Sequence, residues 1–275
     1  MYKQCFQRKS VRQYMEEPLA AEMLMKVDRI VKKVGLLYNH IPMRIELVEN
    51  GEKIHAVMSG FLGSYGKIKA PHYLAVISET KEGYHENVGF AVEEAVLKLT
   101  ELGIGTCWIG GFFDRKLIQN VVEIKKDEKV VVLVAFGKEK RGIWGEGLRT
   151  FAGFAKRKKI EEFAFWNDLN GSVVEYMEKH PEWKSIMEAV RVAPSAVNLQ
   201  PWRFIFREGR IDIYAKSGVS PKISEDSCLY RIDVGIAMQH LSIGCLEEGI
   251  EGFFERLACE VFPGHVYISS YVIRR

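Results

Sequence analysis

Three stretches of this chain carry residue types that could hold a flat, charged ligand. Near the amino terminus, Arg8-Lys9-Ser10-Val11-Arg12-Gln13-Tyr14 sets Arg8 and Arg12 four residues apart, on one face if the segment is helical, with Ser10 near the same end. Guanidinium forks make charge-assisted bonds to phosphate that are about twice as strong as neutral ones. Further on, Leu102 to Phe112 contains Ile109-Gly110-Gly111, which offers no polar side chain. Glycine lets a backbone approach a ligand closely, so the N–H of Gly110 or Gly111 could donate to an atom that becomes negative during reaction. The third stretch, Ala193 to Phe204, reads Ala-Pro-Ser-Ala-Val-Asn-Leu-Gln-Pro-Trp-Arg-Phe. Pro194 and Pro201 fix the backbone and stop a helix, so Ser195, Ala196, Asn198 and Gln200 are expected on a rigid loop after a helix. The first two stretches have plainer alternatives: exposed cations at a helix start for one, a tight turn for the other.

The elements that must position these residues follow from periodicity. Leu24, Val27, Ile30, Val31 and Val34 predict a core helix over 20–34, and Val92, Ala95, Val96, Leu99 and Leu102 predict another over 88–102. Arg44–Val48, Tyr73–Ser78, Val130–Phe136, Phe204–Phe206, Ile211–Tyr214 and Val266–Ile273 read as strands, and the apolar run from Val130 suits a sheet covered on both faces. This mixture predicts an α+β fold.

The second half of the chain repeats the first. A shift of 146 carries Val88-Gly89-Phe90-Ala91 onto Val234-Gly235-Ile236-Ala237 and Asn87 onto Asp233. A shift of 159 carries Asn39, Pro42 and Arg44 onto Asn198, Pro201 and Arg203, which places extra first-half residues between Gly51 and Asn87, around Ser59–Gly66. Two copies this long are no solenoid, whose units run roughly 20–50 residues. They suggest a fused dimer, with half one about 1–155 and half two about 156–275 of a single intertwined unit. The Arg-rich segment and the Ser/Asn loop are not duplicated. Arg8, Lys9, Ser10 and Arg12 map onto Asn167, Asp168, Leu169 and Gly171, and the first-half loop Gly35–Pro42 lacks the Pro-Ser-Ala and the Gln. One site is expected to survive.

Composition excludes several function classes. Among 275 residues, 39 Lys+Arg against 36 Asp+Glu leave a net charge of +3, too mild and dispersed for nucleic acid to be the main partner. The densest basic run, Lys156 to Lys159, reads for most of its side chains as a solvated helix start. The longest apolar run, Val130–Phe136, falls far short of the ~20 residues of a membrane helix. Without an apolar signal core at its start the chain is expected in the cytoplasm. Five cysteines with no C-x-x-C spacing argue against a disulfide framework and a zinc site. There is no G-x-S-x-G, Walker A or H-E-x-x-H, and Gly103-x-Gly105 fails the dinucleotide pattern at its third glycine.

Together the three stretches resemble the FMN-dependent nitroreductases, in their fused pseudo-dimeric branch: Arg8–Tyr14, Leu102–Phe112, and the loop matching Ala-Pro-Ser-x-x-Asn-x-Gln-Pro-Trp. The resemblance implies a nitroreductase-like mixed sheet flanked by helices, with FMN held between the Arg-rich segment of one half and the Ser/Asn loop of the other. In an ordinary family member that loop follows the Arg segment closely, and its place far downstream here is what a fusion with one surviving site would produce. By the same resemblance Arg8, Lys9 and Ser10 should meet the phosphate or ribityl chain, and Arg12 the pyrimidine edge. Ile109, Gly110 and Gly111 should border flavin N5, and Pro194, Ser195, Ala196 and Asn198 should pack against the ring edge. Arg157 should reach the phosphate, although the family's companion Lys is Ala155 here, and many members carry Glu where Gly110 stands. The implied activity is a two-electron transfer from NADH or NADPH, stacked transiently on the flavin, to a small planar acceptor such as a nitroaromatic or quinone. A non-catalytic FMN-binding, storage or sensing protein is the alternative, and flavin breakdown or reductive dehalogenation a third. The chain is expected to be a monomer or weak homodimer.

Overall fold

Nine strands are found among the described residues, in two sheets built to one plan. The computed structural model describes residues 1–58, 68–111, 113–114, 116–140, 156–218 and 228–274. The first sheet runs β1 (Met43–Val48), β2 (His72–Glu79), β4 (Glu128–Gly137), β3 (Gly105–Ile109), all antiparallel. The second runs β5 (Ala164–Trp166), β6 (Trp202–Arg207), β7 (Arg210–Lys216), β9 (His265–Ile273), β8 (Gly252–Glu255), with β5 parallel to β6 and the rest antiparallel. Apart from β5, the order β6-β7-β9-β8 repeats β1-β2-β4-β3. A shift of 159 carries both ends of β1 onto those of β6.

The expected insertion lies in the first half. Residues 49–71, which include the short α3 (Glu52–His55), join β1 to β2, whereas Glu208-Gly209 alone joins β6 to β7. The Ser59–Gly66 stretch suspected of carrying it lies outside the described residues.

Two helices of 18 residues each fill the centre, α4 (Tyr84–Glu101) and α7 (Tyr230–Glu247), related end to end by the shift of 146. Thirteen of the 18 residues of α7 are buried, on every side of the helix from Ile232 to Leu241. The close approach of the pair requires glycine. A Cβ on Gly89 would stand 2.1 Å from the Ile232 carbonyl oxygen, and one on Gly235 2.2 Å from that of Glu86. Around the pair, α2 (Ala21–Val31), α6 (Pro181–Arg191) and both sheets contribute to one apolar cluster that runs from Leu19 to Tyr271. Alternation along β2 sends Leu74 and Val76 into this cluster and Tyr73, Ala75 and Ile77 into a second one behind the first sheet. That sheet is covered on both faces, as the run from Val130 suggested.

The Arg8–Arg12 segment is not helical. The helix α1 (Tyr2–Gln7) ends at Arg8, whose ψ of 133° begins an extended run along the first sheet. There Ser10 bridges Thr106 in parallel and the Val11 N–H donates to the Thr106 carbonyl at 2.8 Å. Burial of Val11 drives this, and Gly105 permits it, because a Cβ there would stand 2.8 Å from Val11 Cγ2. The glycines of the Leu102–Phe112 stretch therefore serve a strand, β3, as well as a turn.

Candidate functional site

Residues from opposite ends of the chain close around one small cavity. Ser10 and Arg12 from the extended segment, Cys107, Trp108 and Gly110 from the end of β3, Pro194, Ser195, Ala196 and Val197 from the downstream loop, and Leu229, Ile232, Asp233 and Ile236 at the start of α7 line about 100 Å³. Arg12 also lines a broader cleft of about 1030 Å³ with Lys69, Lys140 and His72. It stands at the boundary of both.

The loop owes its shape to hydrogen bonds that hold it in an unfavourable conformation. Val197, Asn198 and Gln200 have φ of 43°, 59° and 49°, a region that a β-branched valine rarely enters. Such strain persists only where surrounding contacts over-determine it. Here the contacts come from Lys156–Lys158. Arg157 Nη1 donates to the Ala193 carbonyl at 2.8 Å and to Asn198 Oδ1 at 2.9 Å, while its Nη2 donates to the Val192 carbonyl at 3.2 Å. Asn198 Nδ2 donates to the Lys156 carbonyl, and Gln200 Oε1 accepts the Lys158 N–H. Lys158 Nζ donates to the carbonyls of Leu199 and Gln200, and burial, with Arg203 nearby, lowers its pKa to about 8. This is no solvated helix start. Residues 156–159 lie outside any helix, and two of their cations, Arg157 and Lys158, turn inward to clasp the loop.

The expected phosphate ligands divide accordingly. Arg8 Nε lies 3.6 Å from Glu93 Oε1, with both side chains buried. Glu93 also accepts from Trp108 Nε1 at 3.0 Å and meets His240 Nε2 at 3.1 Å. Because His240 Nδ1 lies 2.7 Å from the Ala189 carbonyl, which can only accept, that nitrogen carries a proton. Burial opposes a charge on this imidazole, but the adjacent Cys5 and Glu93 outweigh it and raise the pKa to about 9. Lys9 turns to the other side and pairs with Glu139 at 2.7 Å, half exposed.

Of the residues singled out from sequence, Ser10, Arg12, Gly110, Pro194, Ser195 and Ala196 meet in the cavity. Arg8, Lys9, Ile109, Gly111, Arg157 and Asn198 are not in its lining. Ile109 packs into the apolar cluster behind the first sheet, and Arg157 and Asn198 hold each other. Trp202 is fully buried, as an anchor of the loop should be. Sequence reasoning missed Asp233, which lines the cavity and accepts the Ala196 N–H at 3.1 Å. Burial raises its carboxyl to about 8, with the Ala196 N–H opposing. The available signal was its pairing with Asn87 across the repeat.

The residues present fit one edge of a flavin ring: a guanidinium (Arg12), two hydroxyls (Ser10 and Ser195) and an approachable backbone at Gly110. A Cβ on Gly110 would meet only Leu229, at 3.4 Å and 3.9 Å, so packing within the protein does not demand glycine there. The cavity is smaller than the roughly 300–1,000 Å³ of ligand pockets. Its size would admit an edge of the ring and no more.

Comparison with known proteins agrees with this architecture. No curated protein matches. A solved structure described as a "putative nitroreductase" from Thermotoga maritima is similar over 99% of this chain and 92% of its own, at 21% identity and a TM-score of 0.60. An FMN-dependent nitroreductase from Clostridium difficile is similar over 52% of this chain and 89% of its own (19% identity, TM-score 0.43). A nitroreductase family protein from Clostridium novyi covers 63% of this chain and 97% of its own (20% identity, TM-score 0.44). The family model described as "Putative TM nitroreductase" matches residues 1–245, and the chain belongs to that family.

Proposed function

We propose that the protein is an FMN-dependent oxidoreductase that takes two electrons from NADH or NADPH and passes them to a small planar acceptor such as a quinone or nitroaromatic. The observation that carries this reading is the meeting of Ser10 and Arg12 with Pro194, Ser195 and Ala196 in one cavity. Arg12 would hold the pyrimidine edge, where a cation favours the reduced, anionic ring. Gly110 would present its backbone to the reactive nitrogen, and the clasped loop would cover the opposite edge. The cofactor supplies the redox chemistry, and the protein supplies position and electrostatics.

A single FMN per chain is part of this proposal. The positions equivalent to Arg8–Arg12 form a turn in which Asp168 Oδ1 accepts the N–H groups of Asn170 and Gly171. At the equivalent of Gly110 stands Arg256, paired with Glu82 at 2.6 Å. In the first half the ring of Tyr38 packs onto Gly83. These features support a filled mirror site.

The test is the absorbance spectrum of purified protein after saturation with FMN, followed by anaerobic mixing with NADH or NADPH. One flavin per chain, bleached rapidly, is expected. Slow bleaching would replace the oxidoreductase with a binding role, and two flavins per chain would overturn the filled mirror site.

A further inference from the structure

Three cations meet at one corner of the second sheet with no carboxylate to balance them. Trp202 and Phe204 of β6 point into the central cluster, which also holds Ile232 and Ile236 of the cavity lining, so alternation turns Arg203 to the opposite face of the sheet. Arg203 is only 9% exposed, and its Nη1 donates to the carbonyls of Gln200 at 3.3 Å and Trp202 at 2.6 Å. Lys158 Nζ donates to the same Gln200 oxygen at 2.9 Å, so two positive charges converge on one atom. Lys216 lies on the same face, two residues beyond Tyr214, which pairs with Arg203 across the ladder. Burial, then the charge of Arg203 and more weakly that of Lys216, hold down the Lys158 pKa, with Glu162 opposing. The Glu162 carboxylate itself accepts the Lys159 N–H at 2.7 Å. Among the described residues none of the three cations has a carboxylate within ion-pair distance. A buried arginine is rarely left so.

The first half shows what balances such an arginine. Arg44 pairs with Ile77, and Ile77 with Val130, just as Arg203 pairs with Tyr214 and Tyr214 with Tyr267, with a bulge at the same place in both sheets. Arg44 Nε donates to Glu46 Oε1 at 2.9 Å, and its Nη1 to Glu128 Oε1 at 2.5 Å. The matching positions of the second sheet hold Ile205 and His265, and Lys216 stands where the first sheet has Glu79. Both acidic partners are gone, and a third acid has become a cation.

We propose that this corner binds a phosphate group from solution, which supplies the negative charge that Glu46 and Glu128 give to Arg44. Arg203 Nε and Nη2 make no hydrogen bond among the described residues. That edge of a guanidinium matches two oxygens of a phosphate, and the ammonium groups of Lys158 and Lys216 serve the others. Occupancy tightens the end of the loop, because Lys158 and Arg203 also hold its Gln200 carbonyl. The site lies across the sheet from the cavity and does not depend on the flavin reading.

Calorimetric titration of inorganic phosphate into the whole protein, with and without FMN and at fixed ionic strength, tests this. Saturable binding of one phosphate per chain is expected in both states. His265→Glu, which returns a carboxylate to the place of Glu128, should weaken binding about tenfold or more and raise the melting temperature in phosphate-free buffer. Lys216→Glu should weaken it as well, and because Lys216 is exposed this variant keeps the question open to measurement if His265→Glu fails to fold. Absence of saturable binding to the wild type, or wild-type affinity in the folded variants, would overturn the proposal. Displacement of the phosphate by FMN would also overturn it, by placing the anion in the flavin site, and would leave the flavin reading intact. Titration with 2′,5′-ADP names the source, and either result supports the site: tighter binding than inorganic phosphate assigns it to the phosphate of a nucleotide, weaker binding to free phosphate.

Discussion

Gly89 and Gly235 each press against a carbonyl of the opposite helix, and each target lies three residues before the partner glycine: Ile232 for Gly89, Glu86 for Gly235. The contact is self-complementary under the shift of 146, which is the signature of an isologous interface. Because a Cβ on either residue would stand 2.1–2.2 Å from a backbone oxygen, no side-chain adjustment can relieve it. Gly89→Ala and Gly235→Ala should each destabilise the protein by about 1–3 kcal/mol or more. The double variant should lose less than the two together, since one displacement of the helices relieves both clashes. Urea unfolding of the four proteins measures this. Strict additivity would mean that the two clashes are relieved independently.

Arg8 and Arg12 should fail in different ways when removed. Arg8 faces the buried Glu93, and breaking a buried pair from one side typically costs 3–5 kcal/mol. Arg8→Ala should therefore lower the melting temperature markedly. Arg12→Ala should release flavin while melting close to the wild type. Thermal scans and flavin occupancy on both variants test this, and the reverse pattern would return Arg8 to the ligand.

The charge on His240 makes stability depend on pH with a definite sign. Its folded pKa is about 9, above the ~6.5 of an unfolded histidine. The folded state therefore holds the extra proton between these values. The stabilisation is complete below about pH 6.5 and disappears as pH rises to about 9, with a total on the order of 3 kcal/mol. The stability difference between wild type and His240→Gln should shrink across that window. A difference constant with pH would mean that the imidazole is neutral.

The clasp on the loop can be tested through its strain. Val197 sits at φ 43° and is exposed, so its side chain gives little packing in return. Val197→Asn, which tolerates this region, should stabilise the protein by about 1 kcal/mol. Arg157→Ala should loosen the loop and weaken flavin binding although its guanidinium is absent from the cavity lining. Unchanged flavin affinity in Arg157→Ala would separate the clasp from the site.

Much of this architecture was legible in the sequence, for reasons that particular residues make clear. The six strands read from apolar runs are present, because Leu74 and Val132 satisfy burial and strand preference at once. The repeat was visible because Gly89 and Gly235 cannot be replaced without separating the helices. The strand β3 was hidden by its glycine and by the glycines after it, whose need appears only once Val11 is seen lying against Gly105. The extended course of Arg8–Arg12 was hidden because alternation and helical spacing both put Arg8 and Arg12 on one side. Arg157 and Asn198 were read as ligands since nothing local reveals that a guanidinium will spend its donors on two backbone carbonyls and a side-chain amide. Asp233 was overlooked because its place in the cavity lining, beside a loop 37 residues away in the chain, appears only in the fold.

The covalent continuity of the two half-repeats releases them from a constraint that governs paired identical subunits. When one gene product meets its own copy across a two-fold axis, an altered codon alters both cavities at once, for better or worse. Here the codon for residue 233 can change while that for residue 87 stays as it is. Asp233 can thus line a cavity while Asn87 stays at the matching place in the other half, and neither residue has to be tolerated twice.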